Sequence, residues 1–164
     1  MEDIEKPNRK KFQKSLLIIS ISIGILIVIL INLFWAKVNL VNTNDFIYVK
    51  HIESGTLLKL EKAETSYEHA RGLMYRTDLQ DNEGMIFIFD NSKIRNFWML
   101  NTPQSLDMIF LDENFKIINF YLHTIPNQTE TLYYSNAPAK YVLEIKSGFI
   151  EKVNLKNSDT FEII

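Results

Sequence analysis

Between residues 85 and 122 the chain reads MIFIFDNSKIRNFWMLNTPQSLDMIFLDENFKIINFYL, and this stretch decides the fold. It holds four apolar runs, at 85–89, 94–99, 106–111 and 116–122, each rich in aromatic and β-branched residues. Polar turn residues separate them. Asp112-Glu113-Asn114 joins the last two as a hairpin turn, with Asn114 suited to a left-handed backbone. Short strands at near-regular spacing predict a mainly β (α+β) domain, a small closed or partly open β-barrel with one or two short helices.

Working outward, Leu57–Ala63 alternates as a strand does. Thr65-Ser66-Tyr67-Glu68 has the form of a capping box, in which Thr65 accepts the Glu68 amide and Glu68 reaches back. Gly72 follows Arg71 where a helix would stop, so a short helix is predicted over 65–71. Beyond the central stretch, 127–138 reads as a long loop, 141–145 as a strand, 147–154 as a second short helix and 160–164 as a closing strand. Leu73, Met85, Phe87, Trp98, Ile109 and Val142 are the expected core.

The first 36 of the 164 residues are of another kind. Residues 15–36 (SLLIISISIGILIVILINLFWA) contain no charged side chain. As a helix this run would be ~33 Å long at ~1.5 Å per residue, enough to cross a hydrocarbon core of ~30 Å. Lys6, Arg9, Lys10, Lys11 and Lys14 precede it and only Lys37 follows closely. The expectation is a single-pass anchor: 1–14 cytoplasmic, 15–36 in the membrane, 37–45 a stalk and 46–164 outside the cytoplasm. A cleaved signal peptide has the same charge polarity, but its apolar region runs to only ~7–15 residues before a small-x-small site. Phe34-Trp35-Ala36 is a poor site of that kind.

Beyond residue 36 the chain holds 13 Lys and Arg against 17 Asp and Glu. That acidic balance argues against a nucleic-acid partner. With no Cys in the chain, disulfides, thiolate catalysis and Cys-ligated metals are excluded.

Four ordered motifs carry a likeness to a known family: Ala70-Arg71-Gly72-Leu73-Met74-Tyr75-Arg76, Glu83-Gly84-Met85-Ile86-Phe87, Phe97-Trp98-Met99-Leu100-Asn101-Thr102 and Leu106-Asp107-Met108-Ile109-Phe110. Tyr141-Val142-Leu143-Glu144 and Gly148 extend it. The chain from about Leu57 to Ile164 resembles domain of unknown function family 192 (DUF192). Members usually carry Lys where Leu100 stands and Pro where Ser105 stands, so this chain lacks a cation in the Trp98–Thr102 motif. The resemblance implies a small, mainly β domain and no particular reaction.

No catalytic signature is present: no His-Glu-x-x-His, P-loop, Gly-x-Ser-x-Gly or dinucleotide glycine pattern. His51, His69 and His123 are scattered, and His69 reads most simply as solvated. Trp98 beside Asn101 and Thr102 offers an aromatic wall with polar groups, suited to a small polar ligand; the plainer reading is a core Trp and a turn. Arg71 and Arg76 flank Gly72-Leu73-Met74 and could fork a carboxylate or phosphate, or pair locally. Met74, Met85, Met99 and Met108 are soft ligands that copper would accept, though methionines more often fill cores. Asp107, in an otherwise apolar strand, should be buried and bound by Arg71, the Trp98 indole or amides of the 101–105 turn.

The sequence therefore points to a membrane-tethered binding module with no cofactor, taking a small molecule or protein partner through Arg71, Trp98, Asn101, Thr102 and Asp107. The alternatives are a hydrolase using Asp107 and Arg71 beside Trp98, and a structural subunit of an envelope assembly.

Overall fold

The structure is a computed structural model that describes residues 19–33 and 46–164. Residues 19–33 form helix α1, which is exposed throughout and apolar except for Ser20, Ser22 and Asn32. Among the described residues no helix is long and apolar enough to cross a membrane. The remainder of the expected 15–36 span, the basic segment 1–14 and the stalk 37–45 lie outside the described residues.

The folded domain is mostly β. Its elements are β1 (Phe46–His51), β2 (Leu57–Ala63), α2 (Ser66–Arg71), β3 (Glu83–Lys93), β4 (Asn96–Phe97), β5 (Leu106–Leu111), β6 (Ile117–Tyr121), β7 (Tyr133–Tyr134), β8 (Ala139–Lys146), α3 (Phe149–Val153) and β9 (Phe161–Ile163). Seven strands form one sheet in the order β6-β5-β8-β3-β2-β1-β9, and β4 pairs with β7 apart from it. β2 and β3 are parallel, a pairing that needs a crossover, which α2 and the segment after it supply. The sheet curls until its two edges approach: Lys116 bridges Thr160, and the Phe161 amide donates to the Phe115 carbonyl at 3.1 Å. The result is a partly open, barrel-like sheet.

Both faces of the central strands are covered, so every residue of β5 is buried. One apolar cluster draws on both edge strands, through Ile117 and Phe161, and on Val49, Leu60, Ile109, Leu143 and Ile145. It lies inside the curl, and Phe149 and Ile150 of α3 pack onto it. The other, with Leu73, Met85, Phe87, Met99, Met108, Phe110 and Val142, lies outside, beneath the connections that follow α2 and β4.

Local signals explain most of the elements. The Thr65 hydroxyl accepts the Glu68 amide at 3.2 Å, and Glu68 accepts the Thr65 amide at 2.8 Å, completing the capping box. The amides of Thr65 and Glu64, both donating to Glu68 Oε2, hold its carboxyl below its ordinary pKa. Gly72 stops the helix with φ 47°.

Several expectations need correction. The run 94–99 gives only two residues of strand, because Ile94 and Trp98 face solvent rather than a partner strand. Residues 127–138 are not all loop: Tyr133–Tyr134 pair with Asn96–Phe97. At the 112–116 turn the left-handed residue is Phe115 (φ 59°), not Asn114. Asp112 Oδ1 accepts the amides of Asn114 and Lys116, which fixes the turn one residue later. β1 had no distinct sequence signal.

Candidate functional site

Where α2 faces the start of β4, a groove of about 460 Å³ opens, lined among others by His69, Phe89, Ile94, Arg95, Trp98 and Leu132. Trp98, expected in the core, is 47% exposed instead. It follows the two-residue strand β4, whose partner Tyr133–Tyr134 holds only one side, so the indole is left at the rim. The Arg95 guanidinium lies 3.7 Å from the centre of the Phe89 ring. Its Nε donates to the Ala139 carbonyl at 3.3 Å and its Nη2 to Asn91, which leaves Nη1 unused by these bonds. Burial lowers the pKa of this guanidinium, and no carboxylate offsets the shift.

Of the other expected site residues, none lines this groove. Arg71 is exposed at the end of α2. Arg76 pairs with Glu61 and Asp78, the surface role that its neighbours suggested. Asn101 ties two loops together: its carbonyl accepts the Tyr75 amide at 2.7 Å and its Nδ2 donates to the Tyr75 hydroxyl at 2.8 Å. Both residues have positive φ, 65° at Tyr75 and 51° at Asn101. A left-handed Tyr is strained by the order of 1 kcal/mol or more, and this stitch holds it there. Thr102 is buried, donating to the Leu100 carbonyl. Met85, Met99 and Met108 pack in the outer apolar cluster.

Asp107 is fully buried and hydrogen-bonded, but not to the expected partners. Its Oδ2 accepts the amides of Gly148 (3.1 Å) and Ile150 (2.9 Å), and its Oδ1 accepts the His123 amide (3.1 Å) and the Ser147 hydroxyl (3.3 Å). In register with Ile145, it faces the inside of the curl, where α3 lies, and not the Arg71 side.

The outer face carries a second buried carboxylate, that of Glu144 in the Tyr141–Glu144 motif. Glu144 is 4% exposed and stands between Met85 and Met108 on the neighbouring strands. A Cβ on Gly72 would sit 3.6 Å from its Oε2 and 3.3 Å from the Phe87 ring, so the helix-stopping glycine also covers this carboxyl. Among the described residues no cation is paired with it, and burial pushes its pKa up to about 8. The signal was present: Glu144 interrupts an apolar run just as Asp107 does.

The histidines are not idle either. His69 is half-buried rather than solvated, its Nε2 3.0 Å from the Ala63 carbonyl and 3.1 Å from that of Ile88. It pins α2 to the diverging ends of β2 and β3. His123 lies between Ser147, through Nδ1, and Glu151, 3.2 Å from Nε2. A serine, a histidine and an acid in a row suggest nucleophilic chemistry. The backbone amides that could stabilise an oxyanion beside Ser147 are those of Gly148 and Ile150, however, and Asp107 occupies both. His51, on the inner face, meets Glu53 and Asp159.

The domain is similar to solved structures. One is a protein of unknown function from Novosphingobium aromaticivorans DSM 12444, 35% identical, with a TM-score of 0.66 over 71% of this chain and 83% of that one. Another is a proposed transcription regulator from Sinorhizobium meliloti 1021, 28% identical, with a TM-score of 0.65 over 72% of this chain and 92% of that one. No curated protein matches. Residues 49–163 match the family DUF192, described as uncharacterized ACR, COG1430. That match takes in the strand, helix-stop and Asp107 motifs together, and the chain belongs to the DUF192 family.

Proposed function

We propose that this chain is a membrane-anchored, extracytoplasmic binding module whose groove takes a small amphipathic anion. The observation that carries the reading is Arg95: a partly buried guanidinium with no carboxylate partner among the described residues, in a groove that Phe89, Ile94, Trp98 and Leu132 also line. A guanidinium with an unused N–H edge suits a carboxylate or phosphate, and the rings and aliphatic side chains suit an apolar body. The uncharged run 15–36 and the basic residues before it support the anchor. The hydrolase reading gains nothing from the geometry, because Asp107 binds backbone amides on the inner face, on the side away from Arg71.

The test uses Trp98 as its own reporter. In the full chain carrying Trp35→Phe, held in detergent micelles, decanoate should shift Trp98 emission to the blue with saturation, and decanol should do so at least tenfold more weakly. Arg95→Gln should remove the preference for decanoate. Equal responses to acid and alcohol, or a preference that survives Arg95→Gln, would sink the reading.

A further inference from the structure

His51, Glu53 and Asp159 converge at the end of β1, well apart in sequence from the groove residues, and no role described above uses them. His51 is 1% exposed, and its ring is walled by Phe161 at 5.2 Å and Phe149 at 6.3 Å between centroids. The Ser54 hydroxyl stands 2.8 Å from both His51 Nδ1 and Thr56 Oγ1. When it donates to Thr56 it accepts from Nδ1–H, and Nε2 then presents its lone pair.

That lone pair faces two carboxylate oxygens, Asp159 Oδ2 at 3.2 Å and Glu53 Oε2 at 3.3 Å. With the ring proton on Nδ1, three electron-rich atoms meet here, and a cation between them or a second proton on the ring relieves the repulsion; with it on Nε2, the ring donates to Asp159 Oδ2 at 3.2 Å. The spacing separates the two options. A charge-assisted N–H···O bond closes to ~2.7–2.9 Å, and a single N–H cannot point along two such bonds at once. The edges of a tetrahedron around a zinc ion with bonds of ~2.0–2.1 Å are ~3.3 Å, the distance from Nε2 to each carboxylate oxygen, and all three donor atoms lie within 4.8 Å of one another.

The carboxylates are held in place from behind, as metal ligands are. Asp159 Oδ2 also accepts the Lys156 amide at 2.9 Å. Glu53 accepts the Thr160 amide at 3.1 Å and the Thr160 hydroxyl at 3.2 Å. Glu53 is 42% exposed, so an ion has a route in from solvent and a position left for water.

We infer that His51, Glu53 and Asp159 form a binding site for one divalent transition-metal ion of the zinc type, with Ser54 orienting the imidazole. One nitrogen and two carboxylate oxygens are a donor set of borderline hardness, which suits Zn(II) or Co(II). The ion joins the turn after β1 to the segment that leads into β9, at the edge where the barrel closes.

Calorimetric titration of the EDTA-treated full chain in detergent with Zn(II) should show one saturable site at micromolar or tighter affinity, and the melting temperature should rise with bound metal. Co(II) should give the intense visible absorption of a four-coordinate site. Glu53→Gln, an exposed change that leaves the core intact, should weaken binding at least tenfold, as should His51→Gln; His123→Gln should leave it unchanged. The inference is overturned if the folded chain takes up no Zn(II), if Glu53→Gln and His51→Gln bind like the parent, or if His123→Gln abolishes uptake. An imidazole doubly protonated in excess Zn(II), seen in histidine NMR spectra, also defeats it.

Discussion

Asp107 and Glu144 lie on adjacent strands one register apart, and their side chains pass to opposite faces of the sheet. Asp107 is paired with Ile145 and Glu144 with Met108, so the period-two alternation of β5 and β8 separates them. Each is a carboxyl in an apolar layer, yet their circumstances are opposite. Asp107 accepts three backbone amides and a hydroxyl, whereas Glu144 stands between Met85 and Met108 with the Phe87 ring and Gly72 close by. One is a structural anchor for α3; the other is a carboxyl that burial keeps largely neutral at pH 7.

Removing the anchor should loosen α3. Gly148 and Ile150 present amides at the start of this helix, and Asp107 is their acceptor. Asp107→Ala leaves those donors buried without a partner and should cost on the order of 3–5 kcal/mol. Asp107→Asn keeps one acceptor oxygen and should cost less. Urea unfolding of both variants measures the difference. A loss below about 1 kcal/mol for Ala would show that α3 does not depend on this carboxylate.

The seam between β3 and β8 should tolerate change poorly at Gly84. A Cβ there would lie 1.9 Å from the Glu144 carbonyl oxygen, a collision with backbone that no rotamer relieves. Gly84→Ala should therefore part β3 from β8 and fail to give a folded domain by circular dichroism. Phe87→Ala tests the same strand more gently, on its outer face: the ring is 1% exposed and meets Phe97 edge-on at 4.8 Å. Its loss should cost about 3–5 kcal/mol by thermal or urea unfolding.

How far the sequence could be read depended on whether a signal was local. The capping box and Gly72 set α2 within a few residues of chain, and both are where the motif put them. The inward face of β5 followed from alternation, so the burial of Asp107 was legible while its partners were not. Of those partners, residue 123 comes with the β5–β6 hairpin and residues 147–150 with the β5–β8 pairing. Trp98 misled because burial was inferred from residue type, whereas a strand of two residues offered it only one flank. Arg95 was missed because it sits mid-run among apolar residues, where the strand pattern drew attention away from it.

Topology is a separate expectation, and protease protection tests it. With residues 1–14 inside and the domain outside, protease added to intact spheroplasts should digest 46–164 and spare a tag at the N-terminus. Mature protein beginning near Lys37 would instead mean that the apolar segment is cleaved.

Glu144 should make stability fall as pH rises through neutrality. In the unfolded chain this carboxyl ionises near its ordinary value of 4.5, and in the folded domain only near 8. Below about pH 4.5 both states hold the proton, so there is no penalty. Between the two values the folded state holds a proton that the unfolded state has released, so each rise in pH favours unfolding. Above 8 the penalty is complete and constant, on the order of 5 kcal/mol at ~1.36 kcal/mol per pH unit. Glu144→Met supplies an apolar side chain of similar length between Met85 and Met108 and removes the titration altogether. The comparison of parent and variant isolates this one group from every other titrating residue. At pH 4.5 the two should unfold at similar urea concentrations; by pH 8 the variant should be more stable by several kcal/mol. Glu144→Gln should show the same change with pH, offset by a constant cost for an unpartnered amide. Stability curves for parent and Glu144→Met that run parallel from pH 4.5 to 8 would mean that the carboxylate is ionised in the folded state, with a cation or water reaching it beneath Gly72.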